Sequence, residues 1–305
     1  MVVLCAEQPG PLRHADRFVR SVGGAESNLA IGLSRLGHRA AWIGVVGADP
    51  FGELILATLR GEGVDVAGAR RDPGAPTGVL FKERHAGGDS GIHYYRAGSA
   101  GSRLCPEDVP DLGRCRVLHL TGITPALSES CHAAVRAAIG RARQAGALIS
   151  LDPNYRARLW PPERARAALL PLLPACDALL LGQGEAELLF GVREAEAVAR
   201  EARAHGARHI ALRCGADGAW AFPAEGPGTW VPAHPVTPVE PTGAGDAFDA
   251  GFLAGLLEGR ADADCVRMGT ICGALATTAL GDWEGSPDRA TLDRLLAGGA
   301  ALPLR

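Results

Sequence analysis

The feature that most constrains the fold is the alternation of short apolar runs with helical patterns from Val117 onward. Four of these runs are Val117–Leu120, Ala147–Leu151, Ala178–Leu181 and His209–Leu212, and helical spacing of apolar residues follows them. Strands that alternate with helices form a parallel sheet covered on both faces. The sequence therefore predicts an α/β fold in which ligands bind at the carboxyl ends of the strands.

An antiparallel hairpin interrupts this order nearer the N-terminus. Two short strand patterns, Val79–Arg84 and Ile92–Arg96, flank a Gly-rich turn at residues 86–91. We expect a small β lid over the site, built from segments near residues 1–22 and 77–97. The whole chain, residues 1–305, is predicted to form one domain, because no interdomain linker or internal repeat is found.

The stretch Pro241–Phe248 reads Pro-Thr-Gly-Ala-Gly-Asp-Ala-Phe and leads into a long helical pattern. A Gly-Ala-Gly turn that enters a helix leaves backbone N–H groups unpaired, and with the helix dipole these form an anion site suited to a phosphate. A carboxylate at its edge, Asp246, either caps the helix or takes a proton from a hydroxyl that attacks the phosphate. A phosphate site beside a base indicates a kinase.

A second Gly-Gly turn, at Gly23 and Gly24, also leads into a helical pattern. It is either an ordinary strand-to-helix turn or a place where a small ligand approaches the backbone of Gly24. In the second interpretation the side chain of Asn28 hydrogen-bonds that ligand.

Two arginines bear on the kind of substrate. Arg96 belongs to the predicted lid near Tyr94, and Arg156 follows the end of a predicted core strand. Each is either a solvated surface charge or part of a carboxylate site, because a guanidinium pairs with two oxygens at once. A neutral sugar would not need them.

Two further patterns are less specific. Glu185 begins the helix after the strand that ends at Leu181, where it either complements the helix dipole or holds a metal ion through water. Arg213, Gly215 and Gly218 form a strand-to-hairpin turn that could lie along a nucleotide.

Composition excludes several other classes of protein. The net charge of −3 argues against a nucleic-acid partner, and the longest apolar run is too short to span a membrane. We expect a cytoplasmic protein, since the N-terminus lacks the pattern of a secretory signal. Lys82 is the one lysine, so no P-loop lysine is present, and Gly44-x-x-Gly47 does not fit a dinucleotide fingerprint. The eight cysteines are scattered and show no zinc-ligand spacing.

Two motifs, Gly23–Ala30 with Leu36-Gly37 and Pro241–Phe248, identify the chain as similar to the ribokinase-like (PfkB) family of carbohydrate kinases. Three further segments resemble the 2-keto-3-deoxygluconate kinases within that family: Tyr94–Ala100, Leu118–Leu127 and Leu151–Trp160. The resemblance implies a three-layer α/β/α fold with a central sheet of about nine, mostly parallel strands and a small β-sheet lid. It also implies ATP, Mg²⁺ and a homo-oligomer formed through the lid.

The resemblance assigns roles to individual residues. It makes Asp246 the catalytic base and Gly243, Ala244 and Gly245 the anion site. The residues that it places at an acidic sugar are Gly24, Asn28, Tyr94, Arg96, Arg156 and Asp282. The residues that it places along the nucleotide or its metal ion are Gly182, Glu185, Arg213, Gly215, Gly218 and Thr270.

This chain departs from the family pattern at several positions. Gly182 stands where the family has an asparagine, Glu240 where it has an aspartate before the Gly-Ala-Gly turn, and Leu80 where a lid tyrosine is expected. The family's first core strand also has no counterpart, because Met1 aligns just after it. The sequence thus predicts a 2-dehydro-3-deoxygluconokinase, with two alternatives: a kinase for a neutral sugar such as fructose or ribose, and a non-catalytic binding or scaffold protein.

Overall fold

The strands of the protein belong to three separate sheets. The computed structural model describes residues 1–84 and 90–299. Within these ranges the strands are β1 (Val2–Ala6), β2 (Phe18–Val22), β3 (Gly44–Gly47), β4 (Ala69–Asp72), β5 (Val79–Arg84), β6 (Ser90–Tyr95), β7 (Val117–Thr121), β8 (Leu148–Asp152), β9 (Ala178–Gly182), β10 (His209–Arg213), β11 (Gly218–Phe222) and β12 (Thr229–Pro232). Residues 86–89 of the turn predicted at 86–91 lie outside the described residues.

The helices separate these strands along the chain. They are α1 (Ala25–Arg35), α2 (Pro50–Gly61), α3 (Ile123–Leu127), α4 (Glu129–Gln144), α5 (Pro162–Leu169), α6 (Gln183–Phe190), α7 (Ala195–Ala204), α8 (Ala244–Leu257), α9 (Asp262–Ala276) and α10 (Arg289–Leu296). In the part of the chain that the structure describes, no helix is both long and apolar enough to cross a membrane.

The central sheet has the strand order β12-β11-β10-β9-β8-β7. Strands β7 to β10 run parallel, and β11 and β12 continue the sheet as antiparallel strands. The prediction of a three-layer α/β/α fold with a mostly parallel central sheet is confirmed. The sheet has six strands within the described residues rather than about nine, because β3 and β4 pair only with each other there.

The side chains of each strand point alternately to the two faces of the sheet. Leu179 and Leu181 on β9 pack into the core beneath α4 to α7, whereas Ala178 and Leu180 face the opposite side. Successive side chains of a strand point to opposite faces, so one buried strand supplies both cores. On the second face the strands contribute mostly alanines, and Phe252 of α8 occupies the space above them. This arrangement brings α8 close to the sheet.

Helices α8 and α9 pack closely because glycines line their contact. A Cβ added at Gly251 would lie 2.7 Å from the carbonyl oxygen of Met268 and 2.9 Å from Cys272 Sγ. At Gly273 an added Cβ would lie 2.9 Å from the carbonyl oxygen of Ala244. The close approach therefore fixes the position of the N-terminus of α8.

The lid is a four-stranded sheet with the order β2-β1-β5-β6. Strand β1 is antiparallel to β2 and parallel to β5, and β5 is antiparallel to β6. Phe81 meets Phe18 and Tyr95 edge to face, each with ring centroids 5.5 Å apart. The segments near 1–22 and 77–97 thus supply one continuous sheet. The absence of a first core strand stays a prediction.

A pair of identical substitutions tests the packing of α8 on α9. Gly251→Ala should lower the free energy of unfolding by about 1–3 kcal/mol, because the added methyl group overpacks the interface. The control is Gly140→Ala on the exposed side of α4, where an added Cβ meets nothing within 4 Å. It should raise stability by up to ~1 kcal/mol through helix propensity. Chemical denaturation of both variants checks this, and equal effects would contradict the packing explanation.

Candidate active site

A cavity of about 1270 Å³ lies where the ends of the central strands meet the lid and the N-terminus of α8. The predicted site residues that line it are Gly24, Asn28, Tyr94, Arg96, Arg156, Glu185, Arg213, Gly215, Gly218, Gly243, Ala244, Gly245, Asp246, Thr270 and Asp282. Residues from both halves of the sequence therefore meet in one place, as expected for the carboxyl edge of a parallel sheet.

The N-terminus of α8 forms a turn that only glycine can make. Gly243 caps the helix in the left-handed region, at φ +83°, and an added Cβ would lie 1.7 Å from the carbonyl oxygen of Asp282. The amides of Gly245 and Asp246 fall in the first turn, where a helix offers no preceding carbonyl to accept them. Together with the helix dipole, these donors provide a site for an anion.

Asp246 lies in the same first turn and is 7% exposed. Its two carboxylate oxygens accept hydrogen bonds from Asn28 Nδ2 at 2.7 Å and Asn154 Nδ2 at 3.3 Å. Burial raises the pKa of Asp246 to about 7; the hydrogen bond from Asn28 opposes this rise, and the charge of Asp152 adds to it. A carboxylate with a pKa near neutrality is suited to accept a proton at physiological pH.

Asn154 is a site residue that the sequence prediction missed. It is the one non-glycine residue of the described chain with a positive φ, at +38°, and its backbone N–H donates to Asp152 Oδ1 at 2.8 Å. Asparagine tolerates this conformation better than most residues. Its Oδ1 atom, like that of Asn28, is buried without a hydrogen-bond partner. The Asp-Pro-Asn sequence after β8 was the available signal.

Three carboxylates surround the side chain of Arg213, which the sequence analysis placed along the nucleotide. Its guanidinium donates to Asp249 Oδ1 at 2.8 Å, to both oxygens of Asp152 at 3.0 Å and to Glu185 Oε2 at 3.4 Å. Burial acts to lower the pKa of Arg213, but the three carboxylates raise it above its usual value. The side chain of Arg213 is thus engaged by carboxylates of the protein, and its position along the nucleotide stays a prediction.

Two of the three carboxylates around Arg213 respond differently to burial and to its charge. Burial acts to raise the pKa of Asp152, but Arg213 lowers it below its usual value. Burial raises the pKa of Asp249 well above its usual value, although Arg213 opposes the rise. One guanidinium therefore keeps Asp152 charged, while Asp249 holds a proton more firmly.

Gly182 and Glu185 form a helix cap. The backbone N–H of Gly182 donates to Glu185 Oε2 at 2.7 Å, and the N–H of Tyr155 donates to Glu185 Oε1 at 2.9 Å. The N–H of Gly182 points into this capping box and Gly182 is not among the residues that line the cavity, so its contact with the cofactor stays a prediction. The described residues contain no cluster of three His, Cys, Asp or Glu side chains that could hold a metal ion. Glu185 could reach a metal only through water.

The lid side of the cavity carries positive charge. Arg96 lines the cavity beside Tyr94, and its Nε atom is buried without a hydrogen-bond partner. Burial lowers the pKa of Arg96, and Glu26 partly offsets this effect. Arg156 is exposed at the opposite side and acts to lower the pKa of Asp246. A buried guanidinium with an unused donor is costly unless an anion binds to it.

Asp282 has a partner that the sequence prediction did not identify. Lys82 Nζ, on lid strand β5, donates to Asp282 Oδ1 at 2.5 Å. Lys82 is 1% exposed and Asp282 is 7% exposed, and both side chains line the cavity. An ion pair thus joins the lid to the loop after α9.

The opposite end of the cavity is lined by small residues. Gly215 and Gly218 both have positive φ values, +62° and +140°, and an added Cβ at Gly218 would lie 2.3 Å from the carbonyl oxygen of Val231. Thr270 is buried there, and its hydroxyl donates to the carbonyl oxygen of Arg267 at 2.9 Å. Such a surface leaves room for a flat ligand along the backbone.

The geometry defines a class of protein. A hydroxyl placed beside Asp246 would lose its proton to the carboxylate while the first-turn amides of α8 face a phosphoryl group. This arrangement is that of a phosphotransferase that acts on an alcohol.

Comparison with known proteins gives the family. The model of the pfkB family carbohydrate kinases matches residues 1–289, and the chain belongs to that family. It is therefore a carbohydrate kinase. The chain is similar to the 2-dehydro-3-deoxygluconokinase of Thermoproteus tenax, with 38% identity over 97% of this chain and 91% of the relative. The corresponding values are 36%, 97% and 93% for the 2-dehydro-3-deoxygluconokinase of Bacillus subtilis, and 33%, 93% and 91% for fructokinase-1 of Zea mays.

Solved structures agree with this assignment. A PfkB protein from Polaromonas sp. is 36% identical, with a TM-score of 0.87 and coverage of 96% of both chains. A putative ribokinase II from E. coli in complex with ATP and Mg²⁺ is 27% identical, with a TM-score of 0.89 over 97% of this chain and 96% of that chain. The 2-dehydro-3-deoxygluconokinase of Thermotoga maritima is 25% identical, with a TM-score of 0.87 over 98% and 96%.

The buried carboxyl group makes a prediction about stability. The pKa of Asp246 is about 7 in the folded protein against 3.8 for the free group. The folded state therefore binds more protons than the unfolded state between these values, so Asp246 contributes a penalty that appears as pH rises and is complete above pH 7. Its upper bound is ~4 kcal/mol. Asp246→Asn should have a higher Tm than the wild type at pH 8, and the difference should shrink towards pH 5.

Thermal unfolding of both proteins across this pH range measures the difference. Asp264→Asn is the matched control, since Asp264 is exposed in the first turn of the next helix, α9. Its Tm should stay within about 2 °C of the wild type. A difference between Asp246→Asn and the wild type that does not grow with pH would contradict the raised pKa.

Proposed function

We propose that the protein transfers the γ-phosphoryl group of ATP to the primary hydroxyl of 2-keto-3-deoxygluconate. The observation that carries the choice of an acidic sugar is the half-buried Arg96, which lines the cavity and whose Nε atom is buried without a hydrogen-bond partner. A sugar carboxylate would supply both charge and hydrogen-bond acceptors. The similarity to 2-dehydro-3-deoxygluconokinases supports the same substrate.

The proposed binding mode assigns one group to each part of the sugar. Arg96 and Arg156 bind the carboxylate from the lid and from the core, and Tyr94 contacts the sugar beside them. Gly24 allows the sugar close to the backbone at the N-terminus of α1, where φ is +150°. Asp282 accepts hydrogen bonds from sugar hydroxyls.

In the proposed mechanism the chain positions the hydroxyl and removes its proton. Asn28 and Asn154 hold the carboxylate of Asp246 from both sides, so that one lone pair faces the incoming hydroxyl. Asp246 accepts the proton as the hydroxyl attacks. The first-turn amides of Gly245 and Asp246 stabilise charge on the phosphoryl group in transfer. The lid excludes water from the reaction.

The residues present fit ATP and Mg²⁺. The nucleotide would lie along Gly215, Gly218 and Thr270, with its phosphates towards α8. Glu185 already accepts two backbone N–H groups, so it would hold Mg²⁺ through water, in keeping with the preference of Mg²⁺ for water and phosphate oxygens. When bound, Mg²⁺ neutralises phosphate charge. The structural relative from E. coli in complex with ATP and Mg²⁺ supports this assignment.

Two alternatives remain distinct hypotheses. A kinase for a neutral sugar is favoured by the similarity to fructokinase-1 of Zea mays. The second alternative, a non-catalytic binding or scaffold protein, agrees poorly with an Asp246 that is buried and hydrogen-bonded and has a pKa of about 7.

Association through the lid stays a proposal, supported by the exposed side chains of Val19 and Tyr95 on that sheet. The cytoplasmic location also stays a prediction.

Replacement of the base tests the mechanism. Asp246→Asn should lower kcat by about 10³-fold, because the carboxylate no longer accepts the hydroxyl proton, while the KM for ATP stays within about threefold. In the wild type, kcat/KM should rise with pH up to about 7 and then level off, since the base acts in its ionised form. Asp264→Asn, the exposed control, should behave as the wild type. Unchanged turnover in Asp246→Asn would rule out the base assignment.

A panel of sugars tests the substrate class. Arg96→Ala should raise KM about 10- to 100-fold for 2-keto-3-deoxygluconate and its galactose-derived epimer, because a charged hydrogen-bond partner of the carboxylate is lost. The KM values for fructose and ribose should change little. Arg20→Ala, on the exposed part of lid strand β2, is the control. A wild type that prefers fructose, or an Arg96→Ala effect equal for all four sugars, would favour the neutral-sugar alternative.

A further inference from the structure

Lys82 is unusual both in the sequence and in the structure. The chain has 31 Lys and Arg residues together, and this is the one lysine among them. Its side chain is 1% exposed and stands among the largest fully buried side chains of the described residues. It lies in the middle of the lid, where β5 pairs with β1 and β6 and places Lys82 opposite Cys5 and Ile92. A buried ammonium in a lid strand needs an explanation, because burial of a charge is costly.

The partner of Lys82 belongs to the core rather than to the lid. Lys82 Nζ donates to Asp282 Oδ1 at 2.5 Å, across 200 positions of sequence. Neighbouring residues of the same loop also contact the lid: Trp283 Nε1 donates to the carbonyl oxygen of Val22 at 2.9 Å, and Glu284 accepts from Ser21 Oγ. The loop after α9 therefore holds both halves of the lid sheet.

Asp282 in turn contacts the beginnings of both site helices. An added Cβ at Gly23, just before α1, would lie 2.4 Å from Asp282 Oδ2. An added Cβ at Gly243, the cap of α8, would lie 1.7 Å from the carbonyl oxygen of Asp282. Asp282 is thus packed between two glycines, and any movement of it displaces the turn that presents the anion site. From the lid, Lys82 donates a hydrogen bond to the side chain of the same Asp282.

The choice of lysine follows from the space available. A guanidinium is broad and planar, whereas an ammonium is compact and can donate within a narrow site. Lys82 is 1% exposed and closely surrounded by protein, so we expect the broader guanidinium to displace its neighbours. The rest of the chain uses arginine rather than lysine. A lysine at this position therefore indicates that the size and shape of the cationic group matter as well as its charge.

We propose that Lys82 is a positioning residue for phosphoryl transfer: through Asp282 it fixes lid strand β5 against the turn that begins α8. The inference rests on the proposed function, in which the lid covers the sugar and the first turn of α8 receives the phosphoryl group. Closure of the lid over the sugar and correct placement of the anion site then depend on the same ion pair. Lys82 acts through Asp282 and does not itself contact the reacting atoms.

A double-mutant cycle tests whether Lys82 acts through Asp282. Lys82→Met and Asp282→Asn should each lower kcat/KM for the sugar at least about tenfold, with the KM for ATP changed less than about threefold. The kcat/KM of the double variant should be no lower than that of the less active single variant, because the second substitution removes a contact that is already lost. Multiplied effects would show that Lys82 acts on the sugar independently, and would overturn the proposal.

Two further variants and a measurement of Tm show whether Lys82 affects activity by positioning the site or only by stabilising the fold. Lys82→Arg keeps the charge but should not restore kcat/KM. Arg84→Met is the matched control on the same strand, since the guanidinium of Arg84 donates to the carbonyl oxygen of Glu7 within the lid, and it should behave as the wild type. Tm values identify any variant that loses activity because it unfolds; in that case the double variant, which leaves no unpaired charge, replaces the single one in the comparison.

Amide hydrogen exchange gives a readout that needs no substrate. In Lys82→Met, exchange should be faster in β5 and also in the first turns of α8, at residues 244–251. Faster exchange confined to β5, or wild-type kinetics in Lys82→Met, would overturn the proposal. If the wild type phosphorylates fructose rather than the acidic sugar, the proposed substrate is wrong and the same cycle is measured with fructose. If it phosphorylates no sugar of the panel, the exchange data alone decide on Lys82.

Discussion

The contacts of one guanidinium hold the site together. Arg213 lies at the end of β10 and reaches Asp152 at the end of β8, Glu185 in the first turn of α6 and Asp249 in α8. These elements come from distant parts of the sequence, and their carboxylates would repel one another without a cation between them. Arginine is suited to this position because its planar fork donates in several directions at once, which an ammonium cannot do with the same geometry. The site is therefore built around a charge that does not itself take part in the proposed reaction.

This division of charge explains the character of Asp246. Arg213 contacts Asp152 and Asp249 directly, whereas Asp246 receives two neutral amide donors and the influence of Arg156. Burial then dominates and raises its pKa towards neutrality. Had Arg213 contacted Asp246 with both oxygens, as it contacts Asp152, its charge would have opposed this rise of the pKa. Asp152, whose charge is paired with Arg213, thus serves the structure, whereas Asp246 remains available to accept a proton.

Much of this arrangement could be read from the sequence, because local patterns carry it. Strand and helix periodicity predicts the central sheet, and the Gly-Ala-Gly turn predicts the anion site at α8. Contacts between distant residues could not be predicted, because no local pattern specifies them. Lys82 finds Asp282 only once the lid is folded over the core, and Asn154 reaches Asp246 only through a left-handed turn after β8. The direction of the Gly182 N–H, which donates to Glu185 Oε2, was likewise not specified by the local sequence pattern.

The rarity of lysine has a consequence for how this protein meets its chemical surroundings. The positive charges on the surface belong to guanidinium groups, which remain protonated at any pH a cell reaches, and to histidines. The one lysine is enclosed by protein. Acyl donors and reducing sugars, whose carbonyl carbons are attacked by the unprotonated amines of lysine side chains, thus find no lysine on the outside of this molecule. The outer surface of a kinase that handles a ketose thus offers no lysine for Schiff-base formation, whereas Lys82 itself lines the cavity and is paired there with Asp282.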